Sequence, residues 1–268
     1  MNFLKNAVEE DKEYQEHKVF NLLDDLIEFY GDTYVFMPGF VTSGILAGIL
    51  NVDEVICGSL EGTLESIRGI LKSGRINDAY ALIRKYHDGI ITVIYVNVYI
   101  AENRSYENYV VQKINDWAHN KQKLPSSEKM LKTIRQYTPL TELEKLFDFD
   151  GLYSRIRRLA NGNTHYNKLY YLWLNNNVIY NPKRSRELDN IYSCLMHLFV
   201  FHFAYMYSLN PHYMMSSDYI DAIEFGLQPD EDAQYWVAPH IKDIFDKVVA
   251  PARPEVARYL RANIQMQF

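Results

Sequence analysis

From Arg155 to Asn167 the chain runs through Arg155, Arg157, Arg158, Asn161, Asn163, His165 and Tyr166. These residue types handle phosphate. The arginine fork matches phosphate oxygens, histidine moves protons near neutral pH, and an asparagine amide donates to an oxygen or holds a histidine tautomer. Such a set can cut RNA without a metal. The 2′-hydroxyl attacks the adjacent phosphorus, a base takes its proton, an acid protonates the leaving 5′-oxygen, and a cation stabilises the charged phosphorane. Arg158 and His165, with six residues between them, are the candidate catalytic pair. Asn161, Asn163, Tyr166, Arg155, Arg157 and Lys168 are the candidate substrate-binding groups, and Tyr166, Tyr170 and Tyr171 offer rings on which bases stack. One histidine serves both proton transfers poorly, so a symmetric homodimer joining two copies is the natural arrangement. A plainer reading also fits: His165 caps a helix and Arg158 pairs with a distant carboxylate.

The setting of this stretch is electrostatically unusual. Gly151 to Arg186 holds seven basic residues and no Asp or Glu. The whole chain carries −6, so this local +7 leaves −13 for the remainder. Either the segment packs against acidic parts of its own fold or a partner, or it holds an anion. The acidic total argues against nonspecific coating of nucleic acid while leaving room for a local site.

The elements that must position these groups read as helices. Gly and Pro number only 12 and 9 in 268 residues, so there is little punctuation. Residues 8–30 read as an amphipathic helix through Val19, Leu22, Leu23, Leu26, Ile27 and Tyr30, with Gly31 as its cap. Phe40–Leu50 reads as a short buried helix. Ser59 is a candidate N-cap before Leu60, Leu64, Ile67 and Leu71, and Gly74 ends that helix. The next starts near Asn77. Its β-branched second half, Ile90–Ile100, would suit a strand, but the apolar pattern continues without a turn and predicts helix. A polar helix follows over 105–123, another over 127–137, and Thr141 with Glu144 has capping-box spacing. Leu152–Ala160 is helical, and Asn161-Gly162 reads as a break. Lys168–Leu174 is helical again. Leu188–Leu209 is long enough to span a bilayer, but its histidines and tyrosines and the lack of a basic-flanked neighbouring span favour the central helix of a bundle. His197 and His202 within it are five apart, a poor metal spacing, and read as core histidines. Helices near 217–225, 239–249 and 253–264 complete the chain.

Several chemistries lack their signatures. There is no G-x-x-x-x-G-K-[ST] loop, no G-x-G-x-x-G, no H-E-x-x-H and no G-x-S-x-G elbow. The acidic clusters lack two-metal spacing. Nucleotide hydrolysis, serine hydrolysis and zinc chemistry are therefore disfavoured, and no metal or cofactor is expected. Cys57 and Cys194 form no disulfide framework, which fits a reducing cytoplasm. The start of the chain lacks a signal-peptide pattern.

The Arg158–His165 arrangement resembles the HEPN superfamily of helical-bundle proteins. Many of these are metal-independent ribonucleases of antiviral, toxin–antitoxin or abortive-infection systems, and others are non-catalytic. Their hallmark is Arg, four to six residues, then His, shared across a homodimer. Leu159 stands where that family usually carries a polar residue. Gly58–Arg68 and Gly74–Lys85 resemble the helix pair preceding the motif, and Leu188–Leu209 the last long bundle helix. The resemblance implies an all-α bundle with a HEPN-like core at 55–210 inside a single domain 1–268, flanked by extra helices at 1–54 and 211–268. It implies an RNA substrate, a homodimer and possible control by a protein partner or antitoxin, with no membrane. The alternative it leaves is a non-catalytic helical module binding protein or RNA.

Overall fold

The computed structural model describes residues 8–36, 52–105, 107, 110–165, 168–178 and 181–268. The expected helix at Phe40–Leu50 lies outside them, as does Tyr166. The fold is all-α. In order come α1 Lys12–Gln15, α2 Lys18–Phe36, α3 Val52–Lys72, α4 Ile76–Asn103, α5 Gln112–Ala118, α6 Ser127–Gln136, α7 Thr141–Glu144, α8 Ser154–Asn163, α9 Leu169–Leu174, α10 Arg184–Leu209, α11 Ser217–Glu224, α12 Pro239–Ile244, α13 Ala250–Ala252 and α14 Pro254–Asn263. Wider π-type turns at Phe149–Tyr153 and Phe245–Val249 lead into α8 and α13. The described residues contain no strand, only isolated bridges between Met215 and Val237 and between Trp236 and Gln267.

The apolar spacings mark the buried faces. Leu60, Leu64, Ile67 and Leu71 are buried on α3, and Tyr80, Ile83, Ile90 and Ile94 on α4. The β-branched half of α4 stays helical and is buried on most sides, at Ile90, Ile91, Val93, Ile94, Tyr95, Val96 and Val98. Gly74 closes α3 with φ +80, and a Cβ there would meet Val8 Cγ2 at 2.7 Å. Arg75 N–H bonds Ile70 O at 3.0 Å and Gly74 N–H bonds Leu71 O at 2.8 Å, so the last carbonyls are satisfied.

Several expected boundaries moved. Gly31 does not cap α2, which runs on to Phe36; buried Phe29, Tyr30 and Thr33 around it offset the ~1 kcal/mol that an internal glycine costs. Ser59 lies inside α3 rather than at its start. The polar helix expected over 105–123 is the shorter α5. The capping box at Thr141 is not formed: Leu140 takes the N-cap position, Thr141 Oγ1 donates to Thr138 O at 2.9 Å, and Glu144 pairs with Arg135 at 3.0 Å.

Contacts divide the chain into two interleaved compact units. The first comprises Met1–Glu28, Ser59–Gly89 and Asp148–Phe199; the second comprises Phe29–Gly58, Ile90–Phe147 and Val200–Phe268. Residues 55–210 contribute to both. Within the second unit His202 is fully buried, and its Nδ1 lies 2.6 Å from the Tyr30 hydroxyl, with the two rings stacked. Burial lowers its pKa to about 3, so it is a neutral core histidine. No described helix is long and apolar enough to cross a membrane, α10 included.

Candidate functional site

The basic stretch belongs to the first unit, and its helix begins with a tight local device. Asp148 accepts the N–H groups of Gly151 at 2.8 Å and Leu152 at 3.1 Å. A Cβ on Gly151 would stand 2.1 Å from an Asp148 oxygen, so a larger residue there would push the capping carboxylate out of place. This turn feeds α8, which presents Arg155, Arg158, Leu159 and Asn163 along one side. The helix passes through Asn161-Gly162 and stops after Asn163. The predicted break at Gly162 is absent, and the missing side chain leaves room for a neighbour: the Tyr171 hydroxyl lies 3.0 Å from where a Cβ would be.

Two adjacent residues in the first turn of α4 hold both α8 and α9. Asn77 Nδ2 donates to Asn163 O at 2.9 Å and to Asn163 Oδ1 at 2.8 Å, all buried. Asn163 Nδ2 donates in turn to Leu159 O at 2.9 Å. Next along, Asp78 accepts from Asn175 Nδ2 at 2.7 Å, and the Asp78 N–H donates to Asn175 Oδ1 at 3.2 Å. Arg75 adds a hydrogen bond to the Asn175 carbonyl. The end of α8 and the end of α9 are thus pinned one residue apart.

Between them lies a cleft of about 410 Å³ lined by Arg155, Arg158, Lys168, Arg186, Tyr170 and Tyr171, with Leu159, Asn163, Leu174, Glu187 and Asn190 completing it. Arg155, Arg158 and Arg186 form no ion pair with any described carboxylate. Glu187 is the acid that could neutralise them, but its oxygens are engaged elsewhere. Tyr170 donates to Oε1 at 2.6 Å, and Tyr80 donates to Oε2 at 2.7 Å. Burial, with the Glu187 carboxylate beside them, pushes both phenols well above the ordinary tyrosine range, so they keep their protons and donate. Four cations against one acid leave the cleft positive, and two tyrosine rings stand among them.

The rest of the +7 segment is used differently. Arg184 is buried and donates to Asn176 O at 2.6 Å. Lys183 lies over the Tyr170 ring, 5.3 Å from its centre, and Lys168 lies 5.7 Å from that of Tyr171. Arg157 is half-buried and does not line the cleft.

Of the predicted site residues, Arg155, Arg158, Asn163 and Lys168 line the cleft together. Asn163, however, spends its amide within the fold. Asn161 and His165 are exposed and are not among the lining residues. His165 follows the end of α8, seven residues beyond Arg158. The sequence reading missed Glu187, Asn190, Tyr80 and the Asn77–Asp78 clasp. Only Glu187 carried a signal, as the first acid after a segment of pure positive charge. No family model, curated protein or solved structure matches the chain.

Proposed function

We propose that the protein binds single-stranded RNA, holding backbone phosphates on Arg155, Arg158, Lys168 and Arg186 and stacking bases on Tyr170 and Tyr171. The observation that carries this is the convergence of these cations on one cleft, three of them arginines with no ion pair to a described carboxylate. Arginine fits phosphate oxygens two at a time, and flanking rings favour unpaired bases over a duplex. The net charge of −6 confines the attraction to this patch. A reducing cytoplasm suits the two buried free thiols.

Fluorescence anisotropy with a labelled oligoribonucleotide tests the reading. Binding should weaken with salt, log K falling by about 0.7 per contacted phosphate for each unit of log salt. Arg158→Ala should weaken it at least tenfold and flatten that slope. Equal affinity in the variant, or no binding at low salt, overturns the proposal.

A second reading adds cleavage, making the protein a HEPN-type endoribonuclease of defence or growth arrest. It is motivated by His165, exposed two residues past the end of α8 and seven residues beyond Arg158. Arg158 would stabilise the phosphorane, while His165 of two paired copies would supply base and acid. RNA should then be cut in EDTA to 2′,3′-cyclic phosphate ends, and His165→Ala should slow cutting by about 10²- to 10⁴-fold while leaving binding unchanged. Binding without cutting from pH 5 to pH 8 removes this second reading and leaves the first.

A further inference from the structure

Two short helices present exposed apolar side chains in opposite electrostatic settings. On α9, Leu169, Leu172 and Trp173 are 63%, 43% and 58% exposed, and their spacing of three and four places them on one face. This face belongs to the segment with seven basic residues and no acid. On α11 and its closing turn, Ile223, Phe225 and Leu227 are 53%, 79% and 65% exposed. The segment from Ser217 to Asp232 holds Asp218, Asp221, Glu224, Asp230, Glu231 and Asp232 and no Lys or Arg. Single exposed apolar residues are ordinary on a protein surface, but a triad on a fixed element marks a contact.

The acidic triad is held firmly. Leu227 N–H bonds Ala222 O at 2.8 Å and Gly226 N–H bonds Ile223 O at 3.0 Å, with Gly226 at φ +68. This is the hydrogen-bonded stop that a glycine just past a helix allows. Ser216 accepts the Asp218 N–H at the other end. The phenylalanine is displayed on a helix closed at both ends, not on a loose loop.

We propose that these faces bind each other between copies of the chain, the basic α9 face of one molecule on the acidic α11 turn of the next. The partner is a second copy because the chain itself supplies both halves, apolar triad to apolar triad and basic segment to acidic segment. Such a joint uses different faces on its two sides. It closes into a symmetric dimer where both joints form at once, and otherwise builds a ring or an open chain. Four of the seven cations behind it line the cleft, so the joint is tested in the absence of RNA.

Sedimentation velocity on the full chain, from micromolar to hundreds of micromolar, reads this directly. The species should grow with concentration and retreat as salt rises from roughly 0.01 to 1 M, which shortens screening from about 30 to about 3 Å. Trp173→Ser and Phe225→Ser sit at exposed positions, so circular dichroism should stay unchanged while each variant alone becomes monomeric. Mixed together, the two should form a dimer that grows no further, the intact α11 turn of one on the intact α9 face of the other. A wild-type chain that stays monomeric, an assembly that survives either substitution, or a mixture that stays monomeric overturns the proposal.

Discussion

Glu187 is the one negative charge in a positive cleft. It places one negative charge among four cations, yet tyrosine hydroxyls rather than arginines take its oxygens. The hydroxyls hold the carboxylate in place and leave the guanidinium groups to an incoming anion. Glu187→Gln keeps the shape and removes the charge. If phosphate binds beside it, RNA affinity should rise about threefold to tenfold, the effect expected of one charge a few ångströms away at a half-exposed site. Stability should fall slightly, since the amide offers one acceptor where two were used. Anisotropy titrations of both proteins decide the matter, and a weaker complex with the variant would mean that Glu187 itself contacts the ligand. The same residue shows what could be read in advance. The absence of acids from Gly151 to Arg186 flagged a site, but charge counting could not say which cations face it. Arg184 and Arg186 differ by two positions, yet one is buried against Asn176 and the other lines the cleft.

The elements around the cleft depend on α4 through Asn77 and Asp78. Asn77→Ala would strip the Asn163 carbonyl and Oδ1 of their shared donor inside the first unit. An unmatched buried acceptor costs about 1 to 3 kcal/mol. Urea unfolding should show a loss of that order, and RNA binding should weaken as the end of α8 loosens. A loss under about 0.5 kcal/mol, the ordinary scatter of surface substitutions, would mean that other contacts hold α8. These bonds join residues 86 and 97 positions apart, so no local pattern announced them. Elements defined by local periodicity were legible: the spacing of Leu60, Leu64, Ile67 and Leu71 marked α3, and the run to Leu209 marked α10. Boundaries depending on distant partners were not. Gly162 had the look of a break, yet α8 runs through it with the Tyr171 hydroxyl in the space beside it, and Thr141 with Glu144 matched a capping box until Arg135 took the glutamate.

At the scale of the whole molecule, two buried groups of the second unit pull stability in opposite directions as pH changes. Asp53 accepts from Asn97 Nδ2 at 2.7 Å and from the Tyr213 hydroxyl at 3.2 Å. Burial outweighs these bonds and raises its pKa from 3.8 to about 6. Between those values the folded chain holds a proton that the unfolded chain has released, so this group lowers stability as pH rises through the window. His202 does the reverse. Its pKa falls from 6.5 to about 3, so its contribution is complete above pH 6.5 and is lost on acidification. From about pH 6 down to pH 4 the two offset each other, and the wild-type curve should be flatter there than either group alone would make it. Asp53→Asn removes one side of the balance. The variant should match the wild type near pH 4 and exceed it by up to about 3 kcal/mol at pH 7, the equivalent of a two-unit shift. Below pH 6.5 the variant should also lose stability more steeply, since the histidine slope then stands unopposed. Chemical denaturation of both proteins at intervals from pH 4 to pH 8 measures the difference. A constant gap at every pH would show that Asp53 does not titrate within the fold. A gap that widened toward acid would show that its carboxylate is stabilised by its partners rather than strained by burial.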